Sequence, residues 1–294
     1  AVLLAEVPGI LFLDELTNVH RPDVLAAAYK LIQDRAAGFV AFRPDVQVIA
    51  AGNRPEDSIV ANPLPSPLLN RVYQITVEPP VVEQWMRWMN AHQPRCDERV
   101  LAYLLRFPQD FCRVTGEGET LEGYPTPRSY TSLALDLAAA GAASLDRSSL
   151  FALCIAALGR EVGARLFTFL ERSVPAYEEF LNESSLFTTL DVDQRYIAIV
   201  VVGHGLAGDI ADLATNRPPG IDIPEARQAL RQRIGECTAL FEAMATESRE
   251  YLILLWFVVS NRLDHPWNHA LFLEMCAQSE TVMVAYTAVG DLLK

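Results

Sequence analysis

The sequence predicts a doubly wound α/β unit followed by a long all-helical region. Two short apolar runs, at residues 10–13 (ILFL) and 46–51 (VQVIAA), are typical of strands in a parallel sheet that is covered on both faces. Between them, residues 22–35 place apolar side chains at helical spacing after a proline suited to a first helical turn. After Pro79 and Pro80 the strand-like runs stop and helical patterns take over. A strand, a helix and a second strand with short connections indicate the α/β class.

Polar and glycine residues mark the ends of these first elements. The first strand ends in two adjacent carboxylates, Asp14 and Glu15. Residues 38–45 (GFVAFRPD) are predicted to form a short hairpin after Gly38 stops the helix. Gly52 and Asn53 end the second strand. Both strands therefore carry polar residues directly after their last apolar position.

The region after Pro80 is predicted to be helical, with two interruptions. Residues 114–125 (VTGEGETLEGYP) are predicted to form a polar, glycine-rich loop. Thr126 and Pro127 then suit the N-cap and the first position of a helix that runs on from Arg128. From residue 173 the chain is predicted to stay helical to its last residue, with a break at residues 216–224. Further helices are predicted over residues 81–93, 97–107 and 147–172.

Charge argues against a nucleic-acid partner. The 294 residues contain 24 Lys and Arg against 37 Asp and Glu, a formal net charge of −13. Such a balance repels a polyanion and disfavours nonspecific nucleic-acid binding. A protein partner fits this charge better than DNA does.

Cysteine usage and hydropathy predict a reduced, cytoplasmic protein with no membrane segment. The most conspicuous unbroken apolar stretch, residues 251–259 (YLILLWFVV), is far shorter than the roughly 20 residues that span a bilayer, so we expect a buried helix there. The cysteines are odd in number, widely spread and never in a C-x-x-C arrangement, which is typical of reduced thiols. They are Cys96, Cys112, Cys154, Cys237 and Cys276.

The carboxylates after the first strand have two possible roles. Open α/β sheets bind ligands at the carboxyl ends of their strands, where Asp14 could hold Mg²⁺ through its water shell and Glu15 could activate a water. Alternatively, both residues only supply negative charge to the start of the next helix. Asn53, after the second strand, could bond a γ-phosphate or be a turn residue. Arg71, in the exposed stretch "NPLPSPLLNRV" (62–72), could reach a phosphate or form a surface salt bridge.

Four motifs resemble one enzyme family when they are taken together. The motifs are "GILFLDEL", "VIAAGNRPED", "PSPLLNRV" and "YPTPRSY". They occur in the order of Walker B, sensor 1, arginine finger and sensor 2 of AAA+ ATPases, and their residues resemble those of the MoxR-like branch. The resemblance covers residues 1–172. It implies an α/β P-loop NTPase (AAA+) fold, with the second half of the core at residues 1–79, an all-α lid at 80–172 and an α-helical C-terminal extension at 173–294.

The resemblance also implies residue roles and partners. Asp14 would hold Mg²⁺ through water, Glu15 would activate the attacking water, and Asn53 would be sensor 1. Arg71 would be the arginine finger and Arg128 the sensor 2 residue. The cofactors would be ATP and Mg²⁺, and the protein would form a ring of its own copies, a hexamer, that remodels a protein client. A von Willebrand factor A domain protein would be a further partner.

The Walker A motif is missing from these residues. No G-x-x-x-x-G-K-[ST] string occurs in the chain. The Walker A loop that has this sequence provides most of the contacts to phosphate. We therefore expect an N-terminally truncated ATPase that is inactive alone. The alternative is a degenerate AAA+ scaffold that binds partners without turnover.

Two further patterns suggest other chemistry. Residues 200–209 (VVVGHGLAGD) contain the G-x-G-x-x-G spacing of a dinucleotide-binding fold, with Asp222 further on, but little room for a crossover helix follows. A glycine-interrupted buried helix is the favoured interpretation, and a nicotinamide enzyme is the weaker one. His265 and His269 have i, i+4 spacing, but no third ligand accompanies them, so we predict no zinc site. The three glycines are Gly203, Gly205 and Gly208.

Overall fold

The computed structural model describes most of the chain, in two compact units. The first unit contains the described residues up to Glu78, and the second contains those from Pro79 onward. The described residues are 9–56, 58, 61–112, 122–141, 145–215, 224–263, 277, 279, 280, 282 and 283. Within these ranges, no helix combines the length and the apolar composition needed to cross a membrane.

The first unit is built on two parallel strands. β1 and β4 pair with Leu13 beside Ala50, so the predicted order of strand, helix and parallel strand is confirmed. β2 and β3 pair antiparallel around Gly38, whose φ of 62° suits a residue without a side chain. A hairpin is therefore present, but it begins at Ala36 rather than at Gly38, which lies in its turn. The prediction that Gly38 stops the preceding helix is wrong, because that helix ends at Gln33. The elements are β1 (Gly9–Leu13), α1 (Pro22–Gln33), β2 (Ala36–Ala37), β3 (Val40–Ala41), β4 (Val46–Ala50) and α2 (Ser66–Leu69).

The prediction that both strands are covered on both faces is wrong for the described residues. The side chains of Ile10 and Phe12 on β1 are 59% and 55% exposed, and Ile49 on β4 is 44% exposed. Alternate side chains of a strand point to opposite faces, so these three residues lie on one open face of the sheet. An apolar run alone does not reveal whether a neighbouring element packs on it. A buried cluster of this unit lies elsewhere, at Leu16, Ala28 and Leu68.

Helices make up the second unit, and none of its described residues forms a strand. The prediction that the chain stays helical from residue 173 is wrong at residues 173–176 and 183–185 and at Ser248, which lie between helices. The predicted helices over residues 81–93, 97–107 and 147–172 are confirmed to within two residues at their ends. The last of them, α6, breaks at Gly159, which the sequence did not predict. The helices are α3 (Val82–His92), α4 (Glu98–Arg106), α5 (Pro127–Ala140), α6 (Arg147–Leu170), α7 (Tyr177–Asn182), α8 (Leu186–Thr189), α9 (Val192–Thr215), α10 (Pro224–Glu247) and α11 (Arg249–Arg262).

Helix α9 lies at the centre of this unit and packs against α4 and α11. The close approach of α9 to α11 depends on Gly203, where a Cβ atom would lie 2.6 Å from Cγ1 of Val258. The predicted buried helix over residues 251–259 is α11, in which Leu255 and Val258 belong to the core. Because α4 falls in the predicted lid and α9 and α11 in the predicted extension, helices of both regions share one hydrophobic core.

A buried carboxylate ties three helical segments of the second unit together. Asp110, in a short 3₁₀ turn after α4, is 9% exposed. One carboxylate oxygen of Asp110 accepts a hydrogen bond of 2.5 Å from the hydroxyl of Tyr103, and Nη1 of Arg165 on α6 donates to both oxygens at 2.6 and 2.7 Å. The hydroxyl of Tyr130 on α5 donates to the Asp110 carbonyl at 3.0 Å. Asp110 therefore links α4, α5 and α6 through one set of hydrogen bonds.

His204 is a second polar residue in this core. Its imidazole, on α9, lies against the carboxylate of Glu98 on α4, and Nη2 of Arg262 on α11 lies 3.9 Å from the same carboxylate. Burial lowers the pKa of His204, and the Glu98 carboxylate offsets only part of this effect. His204 is therefore held in its neutral form at neutral pH.

The free energy of unfolding is expected to depend on His204 in acid. Because the folded-state pKa is below the value of about 6.5 for the unfolded chain, stability is fully present above that pH and falls as the pH decreases further. One proton limits this contribution to about 1.4 kcal/mol per pH unit. Denaturant titrations between about pH 7.5 and pH 5.5 measure the decrease in the free energy of unfolding. This decrease should be smaller in His204→Gln. An unchanged pH dependence in this variant would contradict the assignment.

Candidate functional site

Polar side chains from both parallel strands meet at one edge of the sheet. Asp14 and Glu15 directly follow β1, and Asn53 lies three residues after the end of β4. Because β1 and β4 run parallel, their carboxyl ends lie at the same edge. The side-chain amide of Asn53 donates a hydrogen bond of 3.3 Å to Oε2 of Glu15. The structure thus brings together two residues that the sequence places 38 positions apart.

Glu15 occupies an unusual backbone conformation. Its φ of 53° and ψ of 37° lie in the left-handed region, which residues other than glycine rarely adopt. The turn is held by Oδ1 of Asp14, which accepts the Glu15 N–H at 3.0 Å, and by the Leu16 N–H, which donates to the Ala51 carbonyl at 2.8 Å. Such a conformation costs on the order of 1–3 kcal/mol and is often found at functional sites. The exposed Glu15 carboxylate is therefore fixed by its backbone as well as by Asn53.

Asn18 is a member of this site that the sequence analysis missed. Its side-chain amide also donates to Oε2 of Glu15, so that this oxygen accepts two amide donors. Asn18 ends the 3₁₀ turn Leu16–Asn18, and residues three apart in such a turn lie on the same side. An amide three positions after Glu15 was the available signal, because the DELTN sequence contains that spacing.

Gly52 allows the end of β4 to approach the turn after β1. A Cβ atom at this position would collide with the Thr17 side chain and would lie 3.0 Å from the Thr17 backbone nitrogen. The close approach carries the chain to Asn53, the next residue. Gly52, predicted only as the stop of the strand, is thus required for the contact between Asn53 and Glu15.

Asp14 could hold a Mg²⁺ ion through the water shell of the ion. Its side chain is exposed, and one carboxylate oxygen remains without a hydrogen bond among the described residues. Mg²⁺ is usually held by one or two carboxylates together with water and substrate phosphates. Across the described ranges, no three His, Cys, Asp or Glu side chains converge on one point. Asp14 therefore fits a Mg²⁺ that keeps its water shell and also binds a phosphate ligand.

Arg71 belongs to the same unit but not to the same hydrogen-bond network. It lies just after the short helix α2, is exposed as predicted, and donates from Nη1 to the Pro67 carbonyl at 2.5 Å. The structure joins it to none of Asp14, Glu15 or Asn53 within the described ranges. No carboxylate pairs with it there either, so the alternative of a surface salt bridge is not observed. Its remaining N–H groups are open to a ligand or to another subunit.

Arg128 lies in the second unit, at the start of α5. The predicted N-cap is confirmed, because Oγ1 of Thr126 accepts the Ser129 N–H at 3.0 Å and Oγ of Ser129 accepts the Thr126 N–H at 2.8 Å. Arg128 is the second residue of this helix, is exposed, and makes no hydrogen bond or ion pair with any described residue. Its unpaired guanidinium, beside the positive end of the helix dipole, suits an anionic ligand.

The glycine-rich pattern of the dinucleotide interpretation lies within a helix. Gly203, Gly205 and Gly208 all belong to α9 (Val192–Thr215), so the strand and turn that such a fingerprint requires are missing. A Cβ atom on Gly205 would collide with the Tyr177 ring, which indicates a packing role. The favoured prediction of a buried helix is confirmed, but α9 runs through all three glycines without the predicted interruption. Asp222, His265 and His269, from the other sequence patterns, lie outside the described residues.

The cysteines in the described part of the chain behave as core residues. Burial raises the pKa of Cys96 to about 11 and the pKa of both Cys154 and Cys237 to about 12. Thiols with such pKa values are protonated and unreactive at neutral pH. Together with Cys112 they are free thiols, as predicted, and Cys276 lies outside the described residues.

Comparison with known proteins gives no match: no protein-family model, no curated protein and no solved structure is significantly similar to this chain. A functional assignment therefore depends on the four sequence motifs and on the arrangement of side chains at the edge of the sheet.

Proposed function

We propose that this chain is part of a MoxR-like AAA+ ATPase, which couples ATP binding and hydrolysis to the remodelling of a protein client. The observation that carries the proposal is the hydrogen bond between Glu15 and Asn53 at the carboxyl ends of two parallel strands. This is the place where open α/β sheets bind ligands. The carboxylate, the amide and the adjacent Asp14 are residue types that serve phosphoryl transfer to water.

Glu15 would act as the base toward the attacking water. Asn18 and Asn53 both donate to Oε2, whereas Oε1 makes no hydrogen bond with a described residue. Two donors on one oxygen fix the orientation of the carboxylate and leave Oε1 available to a water molecule. Asn53 could also donate its second N–H to the γ-phosphate or to the same water.

Asp14 would hold the Mg²⁺ of a Mg²⁺–ATP complex through the water shell of the ion. When it is bound, Mg²⁺ neutralises charge on the β- and γ-phosphates. Asp14 is exposed and lies directly beside Glu15, so its carboxylate would hold the ion at the same edge of the sheet. Its role in the proposal is binding, whereas Glu15 takes part in proton transfer.

Arg71 and Arg128 would contact phosphate from two different places. The exposed Arg71 has N–H groups left over from its bond to Pro67, and we propose that it reaches the nucleotide of a neighbouring subunit. Arg128, without a partner among the described residues, would serve as sensor 2. An arginine acting in trans requires assembly, which fits the ring, a hexamer, that the resemblance implies.

The partners in this proposal are a protein client and a von Willebrand factor A domain protein, both drawn from the resemblance. A net charge of −13 disfavours a nucleic-acid client. The cytoplasm is the proposed location, since ATP and reduced cysteines are both found there.

The proposal needs a phosphate-binding loop, and residues 1–294 contain no G-x-x-x-x-G-K-[ST] string. We propose that the full-length protein carries this loop on an N-terminal segment. The missing string also favours a second candidate function, a degenerate AAA+ scaffold that assembles without turnover. The coding sequence upstream of residue 1 and an ATPase assay of the full-length protein distinguish the two candidates.

Mg²⁺ dependence of ATP binding tests the proposal. Equilibrium titration of the full-length protein with ATP, with and without Mg²⁺, should show tighter binding with the ion. Asp14→Asn should lose most of this difference, by about tenfold, because second-sphere partners of a metal contribute at least this much. Asp34→Asn, an exposed carboxylate at the end of α1, is the matched control and should behave as the wild type. No ATP binding by the wild type would contradict the proposal.

A further inference from the structure

Helix α6 is interrupted at one residue. Gly159 has φ 76° and ψ 173°, whereas residues on both sides are helical. Side chains disfavour this backbone conformation, and glycine adopts it freely. The interruption therefore depends on glycine at this position.

The segment that precedes α5 packs into this interruption. A Cβ atom on Gly159 would lie 2.5 Å from the Gly123 carbonyl oxygen, and a Cβ atom on Gly123 would collide with the Ala156 carbonyl oxygen. The two backbones meet only because both residues lack a side chain. Beside this contact, Nε of Arg160 lies 2.9 Å from Oε1 of Glu122. Residues 122 and 123 thus pack against the break in α6.

The segment of residues 122–124 is hydrogen-bonded to the first turn of α5. Oγ of Ser129 donates to the Tyr124 carbonyl at 3.1 Å and accepts the Thr126 N–H at 2.8 Å. Ser129 is the residue next to Arg128. Because Arg128 has no partner of its own among the described residues, its position is set by the backbone of this turn.

We propose that the contact between Gly123 and Gly159 positions Arg128 for its interaction with phosphate. The inference rests on the proposed function, since it requires that Arg128 contacts the nucleotide. Gly159 is a positioning residue in this scheme and touches no substrate. Displacing residues 122–124 moves the first turn of α5, and a displacement of about 1 Å at a phosphate contact can reduce the rate by up to about 100-fold.

A double-mutant cycle in the full-length protein tests this inference. Gly159→Ala and Arg128→Ala should each lower kcat/KM for ATP by about 10- to 100-fold. If Gly159 acts through Arg128, the double variant should be no worse than Arg128→Ala, within about twofold, because the two residues share one effect. A purely structural role would instead give losses that multiply. Gly208→Ala is the matched control, since its Cβ has no atom within 4 Å, and should leave kcat/KM unchanged.

The outcomes separate the inference from the proposed function. If the wild type hydrolyses ATP and Arg128→Ala is impaired, a normal Gly159→Ala or multiplying losses overturn the inference alone. A wild type without turnover, or a fully active Arg128→Ala, overturns the proposed role of Arg128 and the inference with it. Should Gly159→Ala fail to fold, Gly123→Ala replaces it in the cycle, because a Cβ atom on Gly123 would collide with the Ala156 carbonyl oxygen and disturb the same contact. The same non-additivity is then expected.

Discussion

Glu15→Gln in the full-length protein is expected to lower ATP turnover by about 100-fold or more and to leave ATP affinity within about twofold. The side-chain oxygen of glutamine can still accept the amide donors of Asn18 and Asn53, so the local structure should be retained. An amide cannot accept the proton of the attacking water, so the chemical step should fail. Phosphate release at saturating ATP measures turnover, and an equilibrium titration with ATP measures affinity.

The exposed Asp34, in the same unit, provides the control for loss of one negative charge. Asp34→Asn should hydrolyse ATP at the wild-type rate, because Asp34 lies at the end of α1 rather than at the carboxyl edge of the strands. Undiminished turnover in Glu15→Gln would contradict the assignment of Glu15 as the base. Equal losses in Glu15→Gln and Asp34→Asn would point to a general charge effect instead.

Asp110→Ala is expected to have the largest effect on folding, a decrease of about 3 kcal/mol in the free energy of unfolding of the second unit. The substitution leaves the Arg165 guanidinium without its buried partner and the Tyr103 hydroxyl without an acceptor. Arg165 is 38% exposed at its side chain, and water reduces the cost on that side. The expected value is therefore at the lower end for a broken buried ion pair. Denaturant unfolding followed by circular dichroism measures it.

A second ion pair of Arg165 provides a matched control for this prediction. Arg165 forms this ion pair, at 3.5 Å, with Glu161, whose side chain is 73% exposed. Such surface pairs contribute little, so Glu161→Ala should change the free energy of unfolding by less than about 0.5 kcal/mol. A loss of similar size in Asp110→Ala and Glu161→Ala would show that the burial of Asp110 does not matter.

Much of the fold followed from short-range patterns. The paired strands and the hairpin are marked by apolar runs and glycine stops, and the helices by their periodicity. Three features did not follow from such patterns. The open sheet face at Ile10 and Phe12 depends on what packs against it. The break at Gly159 depends on contact with Gly123, and the end of α10 at Glu247 depends on Ser248, which caps α11.

The candidate site was predictable to the extent that topology determines it. Parallel strands place their carboxyl ends at one edge, so the approach of Asn53 to Glu15 could be expected from the order of elements alone. The hydrogen bond from Asn18 was missed because it depends on a left-handed backbone conformation at Glu15. No residue type at this position predicts that conformation. The bond from Arg71 to Pro67 was missed for a similar reason, since it depends on the local path of the chain.

The central claim is that Glu15 and Asn53 act together in ATP hydrolysis. The most direct test is the turnover of the full-length protein measured for Glu15→Gln, Asn53→Ala and the double variant. Because the two side chains share a hydrogen bond, the double variant should be no slower than Glu15→Gln, within about twofold. Losses that multiply would contradict a joint role, and a wild-type protein without ATP turnover would contradict the claim itself.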